Sequence, residues 1–189
     1  DDPPQACRIA RMMVFGKIYN ARWSIERTCR DHAMRVDMET LKAASAKLKA
    51  LLPQMQAETD SGSLRGLEGA GAAIYFDVFD QLILNHKDVF SFTGRSRRPP
   101  LDPCNALLSF AYSLLANDCA AALEVVGLDS YVGFLHTDRP GRQSLAADLM
   151  EELRPCFADR FVLSAVNLGR FSAKDFEAQE NGAVYLSEN

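Results

Sequence analysis

Residues 102–127 read DPCNALLSFAYSLLANDCAAALEVVG, and the fold turns on how this stretch is read. Asp102 and Pro103 place an N-cap side chain before a proline at the first helical position, where the missing N–H costs nothing. Alanine and leucine then recur on nearly every side until Gly127 supplies a stop. A helix that is apolar almost all round belongs in the centre of a domain. The uncharged run 103–117 is too short to span a bilayer, so the segment reads as a core helix of a protein without a membrane partner.

The flanking segments are helical as well. Over residues 6–33 apolar side chains recur at spacings of three and four (Ile9, Met12, Met13, Ile18, Trp23, Ile25), and the pattern predicts a long helix. Trp23 and the Phe and Met residues at this spacing are expected in the core. Arg8, Arg11, Lys17, Arg22, Arg27 and Arg30 fill much of the remaining surface, and their simplest reading is a solvated face. A second amphipathic helix over 38–52 should stop at Pro53. Asp60-Ser61-Gly62-Ser63 reads as a loop that caps a helix over 64–84. Gly66, Gly69 and Gly71 each cost that helix about 1 kcal/mol relative to alanine, so a neighbouring helix or a ligand should approach its backbone closely.

Residues 86–101 form a basic loop with no apolar period. After Gly127 a short apolar connection leads to His136, and Thr137-Asp138-Arg139-Pro140-Gly141-Arg142-Gln143 makes a second basic loop. Ser144 should cap a helix reaching about Phe157, with a further helix over 159–168. Asn181-Gly182 between 175–178 and 183–186 is a hairpin signal. The fold class is therefore mostly α: a single multi-helix domain over 1–189 with a small β-hairpin near the C-terminus.

Composition bounds the function loosely. The formal net charge of −4 argues mildly against nucleic-acid binding. Residues 1–49, however, carry ten basic and six acidic side chains, and a nucleic-acid contact needs a local positive surface rather than a positive total. The five cysteines follow no metal or disulfide spacing and read as buried thiols of a cytoplasmic protein. No signal-peptide pattern opens the chain, and its start without methionine suggests a piece of something longer.

The chemistry concentrates in 136–155. Asp148, Glu151 and Glu152 share an arc of roughly 100° on one helix. Leu145, Leu149, Leu153 and Phe157 form a neighbouring stripe that should face the core. These carboxylates could simply be solvated, aided by the helix dipole. Together with His136, and with Glu68 among its glycines, they could equally make an oxygen-rich metal site with one nitrogen ligand, suited to magnesium or manganese. Arginines in both basic loops fit a phosphodiester substrate. Three alternatives lack their motifs: there is no G-x-x-x-x-G-K-[ST] loop, no H-E-x-x-H helix, and no Glu-x-x-His pair.

Three stretches then carry a resemblance. The first is Leu64-Arg65-Gly66-Leu67-Glu68-Gly69-Ala70-Gly71-Ala72-Ala73 with Tyr75-Phe76. The second is Arg97-Arg98-Pro99-Pro100-Leu101-Asp102-Pro103 with Asn105-Ala106-Leu107-Leu108-Ser109. The third joins Gly133-Phe134-Leu135-His136, Arg139-Pro140-Gly141-Arg142, Ser144-Leu145 and Asp148-Leu149-Met150-Glu151-Glu152 with Arg154-Pro155. In this order they resemble the catalytic domain of the CRISPR-associated integrase family, the larger subunit of the spacer-acquisition complex.

The resemblance implies a magnesium or manganese site built from Glu68, His136 and Glu151, with Asp148 as a supporting carboxylate. It implies a DNA integrase and endonuclease that inserts short duplexes into a repeat array by attack of a 3′-hydroxyl on a phosphodiester, and that cuts branched DNA. A small partner protein and a homodimer of the full-length chain are implied too, along with an N-terminal β domain and a basic C-terminal tail not visible in these residues. Arg97, Arg98, Arg139 and Arg142 are candidate phosphate contacts; no side-chain nucleophile is assigned. The remaining histidines, His32 and His86, have no carboxylate pattern around them and read as structural or exposed. The rival readings are a non-catalytic helical DNA-binding scaffold and a purely structural interaction module.

Overall fold

The computed structural model describes residues 3–136 and 139–187. Helix α1 (Pro3–Asp31) is the spine. Cys7, Ala10, Val14, Ile18, Ala21, Ile25 and Cys29 recur every three or four residues and are all buried, which is the stripe a core-facing helix needs. Against it pack α2 (Met38–Ala57), α3 (Ser61–Asp77) and α5 (Ser144–Leu153). Helix α4 (Pro103–Val125) packs on α5 and on the hairpin strand β2 (Val184–Leu186). Asp102 caps α4 as expected, accepting from the Asn105 backbone N–H at 2.7 Å.

Helix α4 corrects two expectations. At 23 residues it is long and apolar enough, by length and composition alone, to cross a membrane. It is also not buried all round: Phe110, Leu114 and Val125 stand on an open flank while Cys104, Leu107, Leu108, Ala111 and Leu115 enter the core. Length here serves packing along one face.

Helix α2 runs past Pro53 to Ala57. Pro53 and Lys49 are both exposed, so the carbonyl deprived of its partner can be hydrated, and fully buried Met55 anchors the last turn. Helix α3 begins earlier than expected, because Ser61 already lies in its first turn and Asp60 caps it by accepting from the Ser63 N–H at 2.7 Å. It ends at Asp77, and Phe79–Leu82 form a separate 3₁₀ turn. Tyr75, Phe76, Phe79 and Phe92 cluster there, with Phe79 and Phe92 centroids 4.9 Å apart. Gly71 is the glycine that needs to be small: a Cβ there would run into the Ile18 side chain, so α3 lies directly on α1. Gly66 and Gly69 face open space.

The segment after α5 departs most from its expected form. A π-helical turn (Arg154–Asp159) joins α5 to α6 (Arg160–Asn167). One extra residue per turn rotates the face. Phe157 therefore swings out to 64% exposure, while Pro155, Ala158 and Asp159 turn inward. Met12, Trp23, Phe110 and Phe161 are exposed as well, so aromatic and Met residues at helical spacing do not all belong to the core. Cys156 is exposed, unlike the other four thiols. The hairpin is as expected: β1 (Phe176–Ala178) pairs antiparallel with β2, Phe176 facing Leu186, with Gly182 at φ 80° in the turn. The Val184 N–H donates to Pro100 O at 2.9 Å and ties the hairpin to the first basic loop.

Candidate functional site

Asp148 organises the site. It lies on α5, has no exposed surface, and its carboxylate accepts from three successive backbone N–H groups: Phe134 at 2.6 Å, Leu135 at 2.8 Å and His136 at 3.0 Å. A buried carboxylate is tolerable only when its charge is met in this way. The loop can lie this close because residue 133 is glycine: a Cβ there would come within 2.6 Å of Ser144 Cβ and 3.0 Å of Asp148 Oδ2. Arg65 on α3 donates to Leu135 O at 3.1 Å and holds the loop from the other side.

The same carboxylate fixes the histidine. His136 Nδ1 is 2.5 Å from Asp148 Oδ1, and His136 Nε2 lies 3.9 Å from Glu151 Oε1. An Nδ1–H donated to a carboxylate leaves Nε2 with its lone pair, the arrangement a metal-binding imidazole requires. Glu151 is 3% exposed. Burial pushes its carboxyl up, but Arg154 and Lys17, with His136, outweigh that and hold it below the usual carboxylate range. Asp148 and Glu151 are therefore not a solvated face. Glu152, the third carboxylate of that arc, points elsewhere: its Cβ lies against Gly16 of α1.

Glu68 reaches the site from α3, half-buried, and pairs with the ammonium of Lys17. Lys17 Nζ also lies 2.5 Å from Glu151 Oε2. The sequence pattern assigns Lys17 to a solvated surface, yet it is 6% exposed. It falls between Val14 and Ile18 on the buried stripe of α1, and a lysine at such a position is the signal that could have found it.

These groups open on a cleft of about 350 Å³ lined by Glu68, His136, Glu151, Arg97, Arg98 and Arg142, with Arg95 and Arg154 deeper. Arg139 is exposed and does not line it; Thr137 and Asp138 lie outside the described residues. Arg95 and Arg154, which the sequence pattern does not single out as phosphate contacts, stand over the Tyr112 ring at 5.2 and 4.9 Å. The Tyr112 hydroxyl donates to Asp159 Oδ1 at 2.5 Å.

Burial raises the Asp159 carboxyl to about 6, despite the Tyr112 hydrogen bond and the nearby Arg154. Because this folded-state value lies above the unfolded one, the protonated form is favoured. Its stabilisation is full below about pH 4 and lost as the pH rises through about 6. Asp159→Asn should therefore be more stable than wild type at pH 7, by up to about 3 kcal/mol, with the gap closing near pH 4. Thermal melts across that window check this; equal pH slopes for the two proteins would refute it.

Three ligand-type side chains thus meet in one cleft. Among the described residues, no three His, Cys, Asp or Glu side chains stand close enough to form a ready coordination set; Glu68 and Glu151 are turned to Lys17 instead. The residues nonetheless fit a hard divalent ion. The donors are two carboxylates and an imidazole nitrogen, and Glu151 Oε2 is buried without a well-aligned hydrogen bond although Lys17 is near.

Comparison with known proteins gives a consistent result. A CRISPR-associated endonuclease Cas1 from Chlorobaculum tepidum is 48% identical over 189 residues, all of this chain and 55% of that protein. The chain thus spans about half the length of that relative. Among solved structures, a partial Cas6-RT-Cas1–Cas2 complex superposes with a TM-score of 0.85 at 32% identity, covering 100% of this chain and 55% of the other. A casposase bound to integration product superposes at 0.82 and 28%, covering 99% and 50%. The family model described as CRISPR associated protein Cas1 matches residues 1–189. With that match along its whole length, the chain belongs to the Cas1 family.

Proposed function

We propose that this chain is the catalytic domain of a metal-dependent DNA integrase and endonuclease of CRISPR adaptation. The observation that carries the reading is the convergence of Glu68, His136 and Glu151 in one arginine-lined cleft. Those three side chains would hold a magnesium or manganese ion. When bound, the ion stabilises charge on the reacting phosphate and activates the attacking oxygen. Asp148 holds the His136 ring and its tautomer, and Arg154 backs Glu151 at 3.3 Å. Arg97, Arg98 and Arg142 bind phosphates on either side of the reacting one. The substrates are short duplexes joined to a repeat array through a 3′-hydroxyl, and branched DNA. A small Cas2-type partner, in line with the Cas1–Cas2 neighbour, joins the assembly, and the full-length protein acts as a homodimer.

The test is strand transfer and cleavage of branched DNA by the intact protein with Mn²⁺, beside the same reaction in chelator. Activity lost in chelator supports the reading. A non-catalytic DNA-binding scaffold would bind that DNA equally in both and leave it whole, and that outcome would overturn the proposal.

The arginines are open to a separate measurement. Each phosphate neutralised contributes about −0.9 to the slope of log affinity against log salt. Arg97→Ala combined with Arg98→Ala should make that slope shallower by about two, without dependence on DNA sequence. An unchanged slope would remove both residues from the DNA contact.

A further inference from the structure

Lys17 lies at the centre of the site, between two side chains assigned as metal ligands. Its ammonium pairs with Glu68 and stands 2.5 Å from Glu151 Oε2, in surroundings that leave it 6% exposed. Helix α1 is held so that Lys17 stays there: Asn20 Nδ2 donates to Glu152 O at 2.8 Å, Ser24 Oγ donates to Pro155 O at 3.3 Å, and Ile18 packs on Gly71 of α3. A buried ammonium is costly unless paired, and so are the carboxylates it meets. Each charge therefore makes the burial of the others tolerable.

We propose that Lys17 is the resident counter-ion of this site: it neutralises Glu68 and Glu151 while no divalent ion is bound, and it competes with that ion for their oxygens. The proposal rests on the assignment of Glu68 and Glu151 as metal ligands. Lys17 holds the two carboxylates close together in the metal-free protein, at the cost of weaker affinity for the ion. Competition between two cations for one pair of carboxylates is a coupling between binding events, and such couplings commonly amount to between a few-fold and a hundredfold in affinity.

The experiment is Mn²⁺ titration of the intact protein without DNA, by calorimetry, together with thermal melting in chelator. Lys17→Met is expected to bind Mn²⁺ about tenfold more tightly or better. It is also expected to melt lower than wild type in chelator and to gain more on adding Mn²⁺. Lys17→Arg keeps the charge and should retain weak binding. If Lys17→Met does not fold, Lys17→Gln tests the same point with donors but no charge. Mn²⁺ binding by the neutral variant that is no tighter than wild type would overturn the proposal. His136→Ala separates the two levels. If it weakens Mn²⁺ binding while the neutral Lys17 variant does not strengthen it, the metal site stands and the counter-ion role fails. If it leaves Mn²⁺ affinity unchanged, the metal site itself fails and the proposal with it.

Discussion

Replacing Glu68 or His136 with alanine in the intact protein is expected to lower strand transfer and cleavage about a thousandfold, with little change in fold. Lewis-acid stabilisation of a reacting phosphate is worth several kcal/mol, and each 1.4 kcal/mol is about a factor of ten in rate. Both side chains open on the cleft, so truncating them leaves no large cavity in the core. Turnover of branched DNA and circular dichroism on the same samples check the two halves of the statement. Wild-type turnover by either variant would mean that the site is wrongly assigned.

Asp148→Ala should fail differently. Its carboxylate serves the N–H groups of Phe134, Leu135 and His136 as well as the His136 ring. Removing it strands backbone donors worth about 1–3 kcal/mol each where they are buried, so a loss of about 4 kcal/mol is expected. For a domain of this size that is a fall in Tm on the order of 10 °C. Asp148→Asn keeps an acceptor and should fold better, yet still lose about ten- to a hundredfold in activity, because the amide cannot orient the imidazole as a carboxylate does. If both variants melted like wild type and kept full activity, Asp148 would have no organising role.

Much of this is legible in the sequence, for identifiable reasons. The Asp102 cap, the helical run of α1 and the Asn181-Gly182 turn are local signals, and local chemistry decides them. Glu68, His136 and Glu151 come from motif resemblance, and the cleft unites them with Arg97, Arg98 and Arg142. Other features depend on long-range packing that no local pattern encodes. The π turn reverses Phe157 and brings in Asp159; Pro155, with no N–H for the α-helical ladder, marks a break in residues 154–159 but does not dictate its form. In sequence Lys17 is one cation among many on α1, and only the docking of α3 and α5 makes it a buried partner of two carboxylates. Arg95 and Arg154 meet on Tyr112 from segments far apart in the chain. Arg139 shows the reverse case, a motif residue exposed away from the cleft.

The most direct measurement is anomalous diffraction from crystals of the protein grown with Mn²⁺. The expected result is a manganese peak bound by Glu68, His136 and Glu151, absent from crystals of His136→Ala. No peak at these residues under saturating Mn²⁺, or a peak there that survives His136→Ala unchanged, would contradict the metal site on which the functional reading stands.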